Sequence, residues 1–97
     1  MLNKNTLYTI RKILWQHLDK TQDKAFIFGS WAIGDNRKFS DIDIGIESKK
    51  KLPLHLISRL KDAFEISDFP YMVDVIDFKQ AEPQFVKLAK SKIIKLN

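Results

Sequence analysis

The chain has 97 residues, 44% hydrophobic and 30% charged, which is enough for one folded domain with a single core. It contains no cysteine, which excludes disulfides, thiolate metal sites and cysteine nucleophiles, and it shows neither a signal peptide nor a membrane-spanning run. We predict a single cytoplasmic domain over residues 1–97, and the net charge of +5 favours polyanionic partners only weakly because the lysines are spread along the chain.

The first half of the chain predicts helices and two strands. Residues 5–19 carry apolar side chains at close to helical spacing, which indicates an amphipathic helix. The apolar run at residues 25–28 indicates a buried strand that ends in a Gly-Ser pair, and a short helix is expected to begin near Ser30. A polar loop over residues 35–39 then leads into a strand over residues 41–47.

The second half predicts two helices separated by a strand. One helix follows a lysine-rich turn and carries Pro53 near its first turn. A strand over residues 71–78 leads to a last helix from about Glu82, with Pro83 near its start and Ile93 among its apolar residues. The order α, β, α, β, α, β, α predicts an α/β (α+β) domain, in which a small mixed sheet of about three strands or slightly more packs with four helices.

Two aspartates alternate with isoleucines on the strand at residues 41–47. Asp41 and Asp43 therefore point to the same face, with Cα atoms roughly 6.5 Å apart. Two carboxylates so close repel each other and favour a nearby cation. Mg²⁺ suits them because it prefers carboxylate oxygen and keeps positions open for substrate phosphates.

A Gly-Ser pair stands at the junction between the first strand and the short helix. Gly29 lets the backbone approach an anion closely, and Ser30 offers a hydroxyl at a helix start, where the helix dipole favours negative charge. Alone, the pair is more simply interpreted as a tight turn. Ten residues separate Ser30 from the aspartate pair, however, and a phosphate cradle beside a metal pair forms the two halves of a phosphoryl-transfer site.

The segments Gly29-Ser30-Trp31-Ala32-Ile33-Gly34 and Ser40-Asp41-Ile42-Asp43-Ile44 resemble the signature of the DNA polymerase β nucleotidyltransferase superfamily. Over about residues 5–95 the chain is similar to the minimal nucleotidyltransferases, small prokaryotic proteins encoded beside HEPN-domain partners. The resemblance implies a polymerase β palm-like fold and a complex with a HEPN-domain protein. It also implies Mg²⁺-dependent transfer of AMP from ATP to a hydroxyl of that HEPN-type toxin, which makes the chain an antitoxin.

The resemblance further implies which residues form the site. Asp41, Asp43 and a third carboxylate on a later strand are expected to hold two Mg²⁺ ions and to catalyse the transfer. The third carboxylate is Asp74 or Asp77, which lie on opposite faces of an ideal strand. Asp74 matches the family position and is favoured, while Asp77 is expected to cap the strand end or to lie near solvent.

The phosphate side of the site departs from the family at one position. Gly29 and Ser30 are expected to hold the β- and γ-phosphates that leave as pyrophosphate. Many family members carry Arg where this chain has Trp31, and Arg37 or Lys38 in the following loop could replace that cation. Trp31 itself is interpreted as an apolar plug against the first helix, with base stacking as the alternative.

A second class of function is consistent with the same residues. The chain could be a non-catalytic module that binds nucleotide and neutralises or assembles with the HEPN partner by contact alone. Direct nucleic-acid binding ranks last, because the sequence shows no clustering of aromatic and basic residues. The presence of Asp41, Asp43 and Asp74 favours the enzyme.

Overall fold

The structure, a computed structural model, describes residues 2–34 and 41–97, so the predicted loop at residues 35–39, Ser40, Arg37 and Lys38 lie outside the described residues. The described residues form four helices and four strands, which confirms the predicted α/β class. In chain order, these elements are α1 (Lys4–Leu14), β1 (Asp23–Phe28), α2 (Ser30–Ile33), β2 (Ile42–Ser48), α3 (Leu56–Ile66), β3 (Val73–Asp77), α4 (Pro83–Ala89) and β4 (Ile94–Lys95).

The four strands form one mixed sheet in the order β3-β2-β1-β4. Strand β1 runs antiparallel to both β2 and β4, whereas β3 is parallel to β2. The parallel pair needs a crossover connection, which α3 supplies, because two parallel strands cannot be joined by a tight turn. This crossover brings the start of β3 next to the start of β2, where the predicted carboxylates lie.

Helix α1 ends at Leu14, five residues before the predicted end at residue 19. The chain continues in turns, and the Asp19 and Asp23 carboxylates accept hydrogen bonds from backbone N–H groups there, at 2.9 Å each. Leu18 is nevertheless buried. The spacing of apolar residues therefore indicated correctly that Leu18 is buried, although local side-chain hydrogen bonds end the helix before this residue.

The last two helices also differ from their predicted limits. Helix α3 begins at Leu56, so Pro53 precedes it, and His55 at its N-cap has a φ of 68°. Helix α4 begins at Pro83 as expected but ends at Ala89. The following residues form β4, so Ile93, predicted to lie in the last helix, lies between that helix and the edge strand.

The main core fills one face of the sheet, between the strands and helices α1 and α3. Isoleucines on β2 alternate with the residues of the opposite face and are completely buried. The largest fully buried side chains are Ile10, Leu14, Ile27, Ile42, Ile44, Ile46 and Leu60. Within residues 2–34 and 41–97, no helix is both long enough and apolar enough to span a bilayer.

The second face of the sheet carries a smaller core, the aromatic cluster Phe26, Phe28 and Phe78, against which α4 packs. Gly45 lies beneath it, and a Cβ atom there would overlap the rings of Phe26 and Phe78. The residues that pair across the strands in the middle of this face, Phe26, Gly45 and Ile76, are therefore apolar. At the edge where β2 and β3 begin, the residues that pair between these two strands on this face are acidic.

Candidate active site

Pairing between β2 and β3 brings two predicted site residues together. Asp43 is the direct neighbour of Asp74 in the parallel register, and Asp41 precedes Asp43 by two residues on the same strand face. Both Asp43 and Asp74 are partly buried, whereas Asp41 is exposed. The three carboxylates thus lie at one end of the sheet, where β2 and β3 begin, and we refer to this end as the carboxylate edge.

The arrangement of the three carboxylates disfavours the ionised form of Asp43. Burial raises the pKa of the Asp43 carboxyl above its ordinary value, and the negative charges of Asp74 and Asp41 raise it further. Each cause disfavours the ionised form, the first by removing water and the others by repulsion. A cation at this edge of the sheet would relieve both.

The two candidates for the third carboxylate have different surroundings. Asp74 lies beside Asp43, and its Oδ1 is 3.2 Å from the Lys61 ammonium of α3. Asp77 pairs with Ile46 at the far end of β3, where its Oδ1 accepts a hydrogen bond from the Lys79 backbone N–H at 3.0 Å. The structure therefore places Asp74 at the carboxylate edge and Asp77 at the strand end.

Gly29 connects the predicted phosphate cradle to the carboxylates. Its φ of 75° and ψ of −153° lie in a region that is essentially restricted to glycine, and a Cβ atom there would overlap the Asp43 carboxylate. Helix α2 begins at the next residue, Ser30, which is partly buried. The backbone at this turn and the Asp43 side chain are in direct contact.

The part of the chain that the structure describes contains no group of three or more acidic or histidine side chains positioned to hold a metal ion. The Lys61 ammonium forms an ion pair with Asp74. Asp41 and Asp43 remain as two carboxylates on one strand face, one of them with a raised pKa.

A cavity of about 520 Å³ opens beside the carboxylates, between α3 and the segment that precedes β3. Its charged lining consists of one lysine, Lys61, and four acidic residues, and aromatic rings also line it. The acidic residues are Asp41, Glu65, Asp68 and Asp74, and the aromatic residues are Phe64, Phe69 and Tyr71. Sequence reasoning missed Lys61. A right-handed β2-α3-β3 crossover could have placed one face of α3 over β3, but the register that pairs Lys61 with Asp74 comes only from packing.

Trp31, at the position where many family members carry Arg, is 7% exposed and belongs to the main core. Its ring meets that of Tyr71 edge-on, with 5.3 Å between the ring centroids. This burial confirms that Trp31 is an apolar core residue, while its position against the first helix stays a prediction. The ring is not placed to stack on a base.

Comparison with known proteins identifies the family. Residues 9–96 match the family described as "Polymerase beta, Nucleotidyltransferase", which is nearly the entire chain. The chain therefore belongs to the polymerase β nucleotidyltransferase family, and the resemblance seen in the Gly-Ser and Asp-Ile-Asp motifs is confirmed.

Among characterised sequences, the chain is 36% identical over 66 residues to the probable protein adenylyltransferase MntA of Haemophilus influenzae. The matched part covers 68% of this chain and 58% of that protein, so the chain spans less than two thirds of the length of this relative.

Two solved structures share the fold over almost the whole chain. One is a toxin-antitoxin complex with AMP-PNP, with a TM-score of 0.75 and 24% identity, covering 99% of this chain and 73% of that one. The other is a tri-AMPylated HEPN toxin of Shewanella oneidensis in complex with MNT antitoxin, with a TM-score of 0.73 and 20% identity, covering 99% and 72%. At these identities the likeness establishes the fold.

Proposed function

We propose that this chain is a Mg²⁺-dependent nucleotidyltransferase that transfers AMP from ATP to a hydroxyl of a HEPN-type toxin and thereby acts as its antitoxin. One observation carries the proposal: Asp43 lies beside Asp74 on one side and against the Gly29 turn on the other. A phosphate held at that turn would therefore be next to the carboxylates. Phosphoryl transfer depends mainly on such positioning and on charge neutralisation.

The donor set fits Mg²⁺. This ion is usually held by one or two carboxylates together with substrate phosphates, so it does not need a complete cage of protein ligands. Asp41 and Asp43 would supply those carboxylates, and the raised pKa of Asp43 reflects burial and repulsion that a divalent cation would relieve. When bound, Mg²⁺ would neutralise charge on the triphosphate and on the departing pyrophosphate.

A third ligand would come from Asp74 once its carboxylate leaves Lys61. The two side chains are 46% and 47% exposed, so their ion pair is solvated and weak. A second Mg²⁺, as the family resemblance implies, would depend on this exchange. The Lys61 ammonium would then face the cavity beside the carboxylates, where it could donate a hydrogen bond to a phosphate oxygen.

The reaction assigns a role to each residue. The acceptor hydroxyl oxygen attacks the α-phosphorus of ATP, the bond from that phosphorus to the bridging oxygen breaks, and pyrophosphate leaves. Asp74 is the candidate acceptor for the hydroxyl proton, because it lies directly beside Asp43 in the strand register and also lines the open cavity. Gly29 and Ser30 would hold the β- and γ-phosphates through backbone N–H groups and a hydroxyl.

The proposed partner comes from the relatives. MntA of Haemophilus influenzae bears the name of a protein adenylyltransferase, and the Shewanella oneidensis complex contains an AMPylated HEPN toxin. Activity on such a toxin is a proposal for this chain, which matches only part of each relative. We also infer a cytoplasmic location, since a chain without cysteine suits a reducing compartment.

One observation favours the alternative of a contact-only module. Asp74 is already paired with Lys61, and the described residues do not form a ready three-ligand metal site. A chain that binds nucleotide and partner without transfer would have no need to break that pair.

A single experiment separates the two functions. The chain is incubated with the protein encoded beside it, which is the proposed HEPN partner, together with ATP and Mg²⁺, and that protein is then weighed by intact mass spectrometry. A gain of one or more AMP units supports the enzyme, whereas a stable complex without a mass change supports the contact-only module. Asp41→Asn, which removes charge at nearly constant volume from an exposed position, is the matched variant and should abolish the mass gain.

A further inference from the structure

The second face of the sheet has opposite charges at its two ends. Asp43 and Asp74 lie at the end where β2 and β3 begin. At the other end, four residues and about 13 Å farther along β2, Glu47 pairs in register with Lys24 of β1. The aromatic cluster separates the two regions, so the second region is not part of the candidate active site.

A cleft of about 720 Å³ opens at this second end, and we refer to it as the lysine cleft. Six lysines line it against only two acidic residues, Asp23 and Glu47. Its net charge of +4 compares with +5 for the whole chain, so the excess positive charge of this protein is concentrated here. The six lysines are Lys20, Lys24, Lys49, Lys79, Lys90 and Lys95.

Most of this positive charge has no internal counter-charge. Lys90 forms an ion pair with Glu47 at 2.9 Å, and the Lys20 ammonium lies 5.6 Å from the centre of the Trp15 ring. The other four lysines are exposed and make no ion pair with any residue that the structure describes. Like charges around one concave surface raise its potential and attract an anionic partner.

The cleft also has an apolar part. Phe26, Phe78 and Ile93 contribute to its lining between the charged side chains. The two rings are 3% and 4% exposed, so neither can receive a stacked base, which single-stranded RNA binding requires. The lysines come from β1, β4 and the segments after α1, β2, β3 and α4, which suits several separate negative charges better than one phosphate group.

We propose that the lysine cleft is a docking surface for an acidic segment of a partner protein, with carboxylates opposite the lysines and an apolar side chain against the partly buried Ile93. Charge complementarity of this kind mainly accelerates association and fixes the orientation of the partner. This surface is separate from the carboxylate edge, so it does not depend on nucleotidyl transfer by the chain.

The test uses the full chain and a defined probe, the fluorescein-labelled peptide Glu-Glu-Leu-Glu-Glu-Phe-Glu-Glu. Fluorescence anisotropy should show binding that weakens as NaCl is raised, because exposed charge pairs are screened by salt. The triple variant Lys24→Glu, Lys79→Glu and Lys95→Glu should weaken binding by about tenfold or more. These lysines are exposed, so circular dichroism should show an unchanged fold.

A matched control changes the net charge equally but outside the cleft. The triple variant Lys4→Glu, Lys12→Glu and Lys51→Glu replaces three exposed lysines that do not line it, and it should retain peptide affinity within about twofold. Equal weakening by both triple variants would overturn the proposal, as would the absence of peptide binding.

Competition with other anions tests whether the cleft prefers a protein segment. Oligouridylate or inorganic tripolyphosphate that binds the cleft more tightly than the peptide would overturn the assignment to a protein segment. Asp41→Asn should bind the peptide like the parent chain, because Asp41 does not line the cleft. A failure of the docking proposal is therefore distinguishable from a failure of the proposed catalytic function, which is measured by the mass of the HEPN protein.

Discussion

The backbone of Gly29 lies directly against the side chain of Asp43, so that a Cβ atom at position 29 would overlap the Asp43 carboxylate. This contact joins the turn between β1 and α2 to the start of β2. Position 29 requires glycine for two reasons. Its backbone angles are ones that essentially only glycine adopts, and the space beside it is occupied by the Asp43 carboxylate, whose pKa is raised.

Gly29→Ala should therefore destabilise the fold and remove nucleotide binding. Strain in this region of backbone space costs about 1–3 kcal/mol, and the overlap with Asp43 adds to it. Thermal unfolding should show the loss of stability, and ATP titration in the presence of Mg²⁺ should show the loss of binding.

Gly34 provides the matched control for that variant. Its φ of 88° and ψ of 10° lie in the left-handed helical region, and among residues 2–34 and 41–97 a Cβ atom there meets no atom within 4 Å. Gly34→Ala should cost about 1 kcal/mol and leave ATP affinity unchanged. If both variants lower ATP affinity to the same extent, the contact between Gly29 and Asp43 has no special role in the site.

Asp43→Asn should raise the stability of the metal-free chain at neutral pH. The pKa of folded Asp43 is raised above its ordinary value of 3.8, so the folded state binds this proton more tightly than the unfolded state. No penalty exists well below pH 3.8, where both states are protonated. As the pH rises from there through the raised pKa, the free energy of unfolding falls, and the full penalty remains above that pKa.

Thermal melts at pH 4 and pH 7, in EDTA, test this sign. The gain in melting temperature from Asp43→Asn should be larger at pH 7, and Mg²⁺ should then stabilise the parent chain more than the variant. Glu82→Gln at the exposed start of α4 removes one negative charge elsewhere and should show neither effect. A variant that is equally or less stable than the parent chain at pH 7 would contradict the attribution to burial and repulsion.

Sequence patterns predicted the helices and strands that are long enough to show a regular spacing of apolar residues. Alternating isoleucines predicted the buried face of β2, and apolar spacing predicted α1 and α3. Strand β4 has only two residues, and two residues carry no periodicity. Its place beside β1 is fixed by pairing and by contacts of distant residues, such as the hydrogen bond from Leu96 N–H to Ala25 at 2.9 Å.

The candidate site likewise contains some residues that the sequence predicts and others whose place depends on how the strands and helices pack. Spacing along one strand predicts Asp41 and Asp43 as site residues, and the turn before a helix predicts Gly29 and Ser30. The choice between Asp74 and Asp77 depends on which residue lies beside Asp43, and only the register of β3 against β2 supplies that. Lys61 was missed because its partner is on another element, and a lone lysine on a helix is indistinguishable from a solvated one.

Lys61→Gln should strengthen Mg²⁺ binding by a few fold. The variant frees Asp74 from its 3.2 Å ion pair, which makes its carboxylate available to a cation. Because both side chains are nearly half exposed, the loss of the pair should cost less than about 1 kcal/mol of stability. Isothermal titration with Mg²⁺ measures the first effect, and chemical denaturation measures the second.

The double variant Lys61→Gln with Asp74→Asn identifies the source of that gain. If Asp74 is a metal ligand, the second substitution should remove the increase in Mg²⁺ affinity. Lys51→Gln, which removes one exposed lysine away from the site, controls for the change in overall charge. Equal gains in Mg²⁺ affinity from Lys61→Gln and Lys51→Gln would show that Asp74 is not recruited by the metal.

Gly45→Ala should destabilise the chain without a change in the carboxylates. The added Cβ atom would overlap the rings of Phe26 and Phe78, which are almost completely buried and hold α4 against the sheet. Overpacking of this kind typically costs about 1–3 kcal/mol. The expected fall in melting temperature is roughly 4–8 °C per kcal/mol for a domain of this size.

Phe78→Leu combined with Gly45→Ala tests the cause of that loss, because a smaller side chain at position 78 makes room for the new methyl group. The double variant should recover part of the stability lost by Gly45→Ala, whereas Phe78→Leu alone should destabilise the parent chain by creating a cavity. Denaturation curves of all four proteins measure the coupling directly. Strictly additive losses would mean that Gly45 is required for a reason other than the space that it leaves for the aromatic cluster.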